Sequence, residues 1–255
     1  MEMKKLSQDL SVYSKLNFEK PPVGVKFTFF PPDGIDQLKP DKKLSLCEMV
    51  KETQENNAPF YFSKNNNETC VGKILLGMED MAPFAESGQI GERLGVFQEA
   101  RANQHFYQFV PKMEKGIVNN VVFSPIEKLS FEPDVLVITA TPSQAEIVMR
   151  ALTYSTGELY TSTTTPVMGC AWFLIYPYKT GKVNYIIPEL IHGPKGRELW
   201  AENTLIISIP YHWIPTVTRN LQKMQWHLSS HENKEEYYSE FAQILTELAK
   251  ESETI

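Results

Sequence analysis

Displacing the chain against itself by 100 residues brings Met49 onto Met149, Phe60 onto Tyr160 and Cys70 onto Cys170. In each copy a helix-like stretch (CEMVKETQEN, AEIVMRALTY) runs into an aromatic strand, PFYFS or ELYTS. A polar loop follows, NNNET or TSTTTP, and ends at a cysteine. Upstream, PVGVKF (22–27) parallels PDVLVI (133–138), each a β-rich run closed by Pro32 or Pro142; downstream, NVVFSP (120–125) parallels TLIISIP (204–210). The offset drifts from 111 (Pro22 to Pro133) to 85 (Pro125 to Pro210), so loop lengths change while the order of five elements is kept. Self-similarity of this kind is read before any motif, because it sets what unit the fold repeats. It predicts an internal duplication whose two halves pack about an approximate twofold axis.

Strands such as VLVIT and LIISI are continuous apolar runs, the pattern of strands covered on both faces. Their alternation with helical runs predicts an α/β protein, a mixed α+β arrangement being open as well. The expected layout is an N-terminal helix over 1–20, a first repeat over 21–130, a second over 131–225 and a C-terminal amphipathic helix over 232–252. Together they are expected to form one compact unit. Leu6, Leu10, Tyr13 and Leu16 give the first helix an apolar stripe, and Tyr238, Phe241, Leu245 and Leu248 give the last one its own. Both stripes are expected to cover the core. Strand order is not readable from these patterns.

Composition narrows the function classes. The chain has 25 basic against 31 acidic side chains, a net charge of -6 and a sequence pI of about 5.5. With no Lys/Arg stripe it lacks the charge that phosphate neutralisation requires, so nucleic acid is not an expected partner. At 255 residues it can bury roughly 70–75% of its unfolded surface and needs no covalent staples. The N-terminus, MEMKKLSQDLSVYSKLN, has no uninterrupted apolar region of a secretion signal, and no stretch approaches a membrane span. Three cysteines in such a chain suit a reducing compartment, and a cytoplasmic location is expected. On that reading the acceptor-like Asn67-Glu68-Thr69 is accidental.

The cysteines are the first candidates for chemistry. Cys47 opens a helix, and Cys70 and Cys170 occupy equivalent loop ends, so a twofold would bring the last two together. Three thiols without a fourth would suit a [4Fe-4S] cluster or a zinc ion with one open position. Free cysteines also serve as small buried hydrophobes, and the spacing matches no short CxxC signature.

The second candidate is a pair of glycine turns. GQIGER contains Gly88, Gly91 and Arg93; HGPKGR contains His192, Gly193, Gly196 and Arg197. Each places GxxG before an arginine and an apparent helix start. Exposed amides with a guanidinium would hold a phosphate or carboxylate. No GxGxxG or GxxxxGK[ST] is present. Of the remaining histidines, His105, His212, His227 and His231, none falls in a catalytic motif, and His212 in PYHWIP reads as a packed core residue.

The segments PPVGVKF, LCEMV, ETCVGKILLGM, FSPIEKL and PDVLVITATPSQAEIVMRAL together resemble the DUF169 (ArCR) family of archaea and anaerobic bacteria, from about Pro22 to Val217. The resemblance implies that Cys47, Cys70, Cys170 and the Gly193-to-Arg197 stretch belong to a shared pattern. After Cys170 the segment PYKTGKVNYIIPELIHGPKGREL departs from it. The family supplies no reaction. The leading expectation is a metal or iron–sulfur protein with the three cysteines as ligands and an open site for an anionic small molecule. The alternative is a non-catalytic module binding a carboxylate or phosphate, its cysteines structural; a thiol enzyme using one cysteine as nucleophile is the thinner third.

Overall fold

The structure, a computed structural model, describes residues 10–252. They divide into two compact units, one ending at Gln222 and the other beginning at Lys223. Six strands build the first: β1 (Val23–Thr28), β2 (Phe60–Ser63), β3 (Asn120–Pro125), β4 (Val135–Ala140), β5 (Asn184–Ile186) and β6 (Leu205–Pro210). They form a single sheet in the order β2-β3-β1-β4-β6-β5, with antiparallel pairing throughout. The architecture is mixed α/β, as the alternation of runs predicts.

Both faces of the sheet are covered, which explains the continuous apolar runs. Every residue of β3 and β4 is buried. Odd positions Val23, Val25, Val121, Phe123, Val135 and Val137 join one core cluster. Side chains alternate across a strand, so even positions Val122, Leu136 and Ile138, also buried, face the other way. Helix α1 (Leu46–Asn56) supplies Leu46, Met49 and Val50 to the first layer. Truncating Phe62 or Phe123 there would cost about 3–5 kcal/mol. A later helix, α5 (Pro142–Thr153), contacts β4 and β6.

Local chemistry fixes where α1 and α5 begin. Ser45 and Glu48 form a reciprocal capping box at α1, and Thr141 with Gln144 does the same at α5, where Pro142 takes the first turn. Between the strands lie four short helices that shape the site: α2 (Gly72–Leu75), α3 (Gln89–Arg93), α4 (Ala100–Tyr107) and α6 (His192–Gly196). A π-wound turn, Ala171–Ile175, is buried at all five positions and runs into Tyr176–Thr180. A helical segment that is apolar all round belongs inside a core.

The duplication is not established by the sheet. The runs matched in sequence do occupy related places: β1 and β4 are the central pair, flanked by β3 and β6. The edges differ, because β2 precedes its cysteine while β5 follows Cys170. Tyr160 lies outside any strand, and Thr161 makes only an isolated parallel bridge to Asn184. The opposite edge has a comparable bridge, Gln37 to Tyr61.

Both ends of the described chain are helical. Leu10–Leu16 winds as a 3-10 helix, with Leu10, Tyr13 and Leu16 buried; Leu6 lies outside the described residues. Thr218 Oγ1 donates to Tyr13 Oη at 3.3 Å, and burial pushes the Tyr13 phenol well above its ordinary range. In the second unit the last helix, Lys234–Ser252, has no buried residue, and Tyr238, Phe241, Leu245 and Leu248 are exposed.

Candidate functional site

The structure brings the two glycine segments and one cysteine to a common place. A cavity of about 480 Å³ is lined by Cys70, Gly91, His192, Gly193, Gly196 and Arg197, together with a largely apolar wall that includes Ile90, Leu94, Phe97, Val167 and Met168. Volumes of this size are typical of small-molecule pockets.

Each wall has its own support. On the first side, Asn103 is buried on α4; its Nδ2 donates to Gly88 O at 2.9 Å and Tyr107 Oη at 3.1 Å. Gly91 packs so tightly that an added Cβ would lie 2.5 Å from Asn103 Nδ2 and 2.6 Å from Phe97 Cδ2. Only a residue without a side chain lets α3 and α4 close there. On the second side, Asn184 Nδ2 donates to Trp172 O at 2.9 Å, and Trp172 Nε1 donates to Thr165 Oγ1 at 2.8 Å. The backbone N–H of His192 donates to Pro166 O at 2.8 Å. These bonds hold 163–168 against the π turn and present Val167 and Met168 to the cavity.

The glycine turns themselves fold differently from the sequence expectation. Gly88 caps α3 in the left-handed region (φ 76°), Gly91 lies inside that helix and Arg93 ends it, exposed and away from the cavity. Likewise Gly193 and Gly196 lie within α6, and Arg197 follows it. The arginines therefore sit at the carboxyl ends of five-residue helices instead of before helix starts. Of the two, only Arg197 lines the cavity.

Arg197 is anchored from the first half of the chain. Its Nη2 donates to Thr69 O at 3.3 Å, and its Nε lies 3.8 Å from Glu48 Oε2. The same carboxylate oxygen accepts from Ser45 N at 2.8 Å, Ser45 Oγ at 2.6 Å and Thr69 Oγ1 at 3.3 Å. Burial acts to raise the Glu48 carboxyl, but the Ser45, Arg197 and Thr69 contacts outweigh it and hold the group below the ordinary carboxylate range.

The three cysteines do converge. Cys47 and Cys170 are buried in the core cluster, while Cys70 is exposed on the cavity wall. The neighbouring Cys47 and burial push the Cys170 thiol well above its usual range. The surrounding protein pushes Cys70 up to about 11, with Cys170 adding to burial and Arg197 opposing it. Beside them Glu68 is raised by burial, against the lowering effect of the Lys73 and Gly72 amides; its Oε1 accepts from Lys73 N at 2.7 Å.

This geometry does not support the expected metal or iron–sulfur centre. Among the described residues no group of three or more His, Cys, Asp or Glu is placed to hold a metal ion. His212 also departs from expectation: it is exposed, packed over Gly181 and Trp213. No described helix is long and apolar enough to cross a membrane. Sequence reasoning missed Glu48, Glu68, Asn103 and Met168. Only Glu48 carried a signal, the Ser-x-x-Glu capping box.

A single antiparallel sheet clothed on both faces, with an apolar cavity opening beside a thiol group, defines a mixed α/β protein built around that pocket. The chain belongs to the DUF169 family, described as uncharacterised ArCR, whose pattern matches residues 11–220. It is 26% identical over 128 residues to an uncharacterized protein of Methanocaldococcus jannaschii, an alignment covering 49% of this chain and 53% of that one. The chain thus spans about half the length of that curated relative. No solved structure matches it.

Proposed function

We propose that this protein binds a small, mainly apolar molecule carrying one acidic group, a carboxylate or phosphate, in the cavity between the two glycine segments. The observation that carries the reading is the lining: an apolar wall with one guanidinium, Arg197, beside His192 and Gly193. Burying an apolar body supplies affinity, and a fixed charged group supplies orientation. Arg197 suits an oxyanion because its planar fork donates two parallel bonds. Gly193 next to it leaves room for approach; a Cβ there would already stand 3.4 Å from Arg197 Nη1.

The test is calorimetric titration with decanoate, decyl phosphate and neutral decanol. Binding of the acids, weakened at least tenfold in Arg197→Ala, supports the reading. Equal binding of decanol, or no binding of any of the three, overturns it.

A further inference from the structure

The thiol cluster is not used by the ligand-binding reading, and its arrangement is that of an exposed thiol backed by a buried one. Cys70 immediately precedes Val71 and α2, and Cys170 immediately precedes the π turn. Helix α2 contacts that turn, which brings the segments that carry the two cysteines together, and Cys170 is among the groups that raise the Cys70 thiol. Cys70 lines the cavity, where a small molecule can reach it; Cys170 is buried in the core with Cys47. A second observation also points to chemistry. Glu68 places a largely buried carboxyl in this same cluster, at the start of α2, where its charge raises both the Cys70 and the Cys170 thiol.

We propose that Cys70 and Cys170 form a redox-active dithiol that reduces low-molecular-weight disulfides, Cys70 attacking and Cys170 resolving. In the first step the Cys70 sulfur displaces one sulfur of RSSR; a protein–SR bond forms, the RS–SR bond breaks, and RSH leaves with the Cys70 proton. In the second step the Cys170 sulfur attacks the Cys70 sulfur, releasing a second RSH with the Cys170 proton and closing a Cys70–Cys170 disulfide. Two electrons pass from the dithiol to RSSR, so one RSSR gives two RSH and one protein disulfide. The apolar cavity wall favours an R group of low polarity.

The probe is 2-hydroxyethyl disulfide, applied to the full chain at pH 8.5, with the products mapped as non-reduced peptides by mass spectrometry. A Cys70–Cys170 linked peptide in the unmodified chain is expected. Cys170→Ser should instead accumulate the mixed disulfide at Cys70, and Cys70→Ser should lose at least nine-tenths of the reaction. Since Cys170 is buried, the linked peptide in the unmodified chain decides the matter even if that variant unfolds. A persistent mixed disulfide at Cys70 of the unmodified chain, a Cys47–Cys170 link, or no reaction would each overturn the dithiol.

Discussion

Thr69 stands between Arg197 and Glu48: its carbonyl accepts from Arg197 Nη2 and its hydroxyl donates to Glu48 Oε2, while the two charged groups approach to 3.8 Å. The guanidinium that faces the cavity is thus already partly neutralised by a carboxylate from α1. An acidic ligand must compete with Glu48 for it.

Glu48→Gln should therefore tighten decanoate binding about three- to tenfold, the range expected for a partly exposed ion pair of about 1 kcal/mol. Glutamine preserves the capping box, so α1 keeps its start. The sign with pH follows from the lowered Glu48 pKa. Its contribution to stability is present above the unfolded carboxylate value of about 4.3 and is lost as pH falls through the lower folded value. Calorimetry at pH 7 and melting curves between pH 2 and 7 check both; unchanged affinity in Glu48→Gln would sever the link.

Glu68 behaves in the opposite sense. Burial raises its folded pKa, so the folded chain holds the proton more tightly than the unfolded one. Stability gained by protonation appears as pH falls through the folded value, and the charged form is disfavoured above it. Glu68→Gln should raise the melting temperature at pH 7–8, and the gain should vanish below about pH 4, where the native carboxyl is also neutral. Melting curves across that span test it. A pH-independent difference would mean that charge is not the cause.

For Cys70 the accessible thiol should react slowly at neutrality. The groups facing it are Cys170 and Glu68, which raise its pKa with burial, and Arg197 and the Val71 N–H, which lower it. With a value of about 11, alkylation by iodoacetamide should accelerate about tenfold per pH unit from 7 to 9. Stopped assays quantified by mass spectrometry check the slope. A rate already at its plateau by pH 7.5 would contradict the environment described.

Gly88→Ala tests the first wall of the cavity. An added Cβ would stand 2.2 Å from Ala100 O, a backbone atom, at a left-handed φ of 76°. Alanine there should cost about 2–3 kcal/mol and loosen α3 from α4. Denaturant melts give the loss directly, and decanoate affinity should fall with it; a variant as stable as the parent would show that this approach is soft.

The strand runs were legible because β4 and β6 carry nearly unbroken apolar segments and β1 and β3 are β-rich, and the helices α1 and α5 because their polar starts and apolar periods are local. The start of α1 was readable down to Cys47. The edge strand β5 was not, since NYI has only three residues and its burial comes from Asn184 bonding Trp172 and Thr163. Half of the site was anticipated: Cys70, Gly91, His192, Gly193, Gly196 and Arg197 do line one cavity. The other half depends on packing at a distance. Ile90, Leu94 and Phe97 come from a segment of short turns without sustained periodicity, and they become a wall only because Asn103 fastens α4 to Gly88. Arg93 shares its motif with Arg197, yet the two short helices aim their ends differently. For the metal expectation, the spacing of three cysteines said nothing of Cys47 and Cys170 being buried while Cys70 is exposed.

The bridges at the two sheet margins bear on how this protein behaves at high concentration. Gln37 lies along Tyr61 of β2, and Thr161 lies along Asn184 of β5, so each outermost strand is short and already has loop backbone alongside it. Exposed strand margins are where chains recruit one another into fibrils. Here a foreign strand would first have to displace the molecule's own loops, which guards a hydrophobic sheet against polymerisation during crowding or heating.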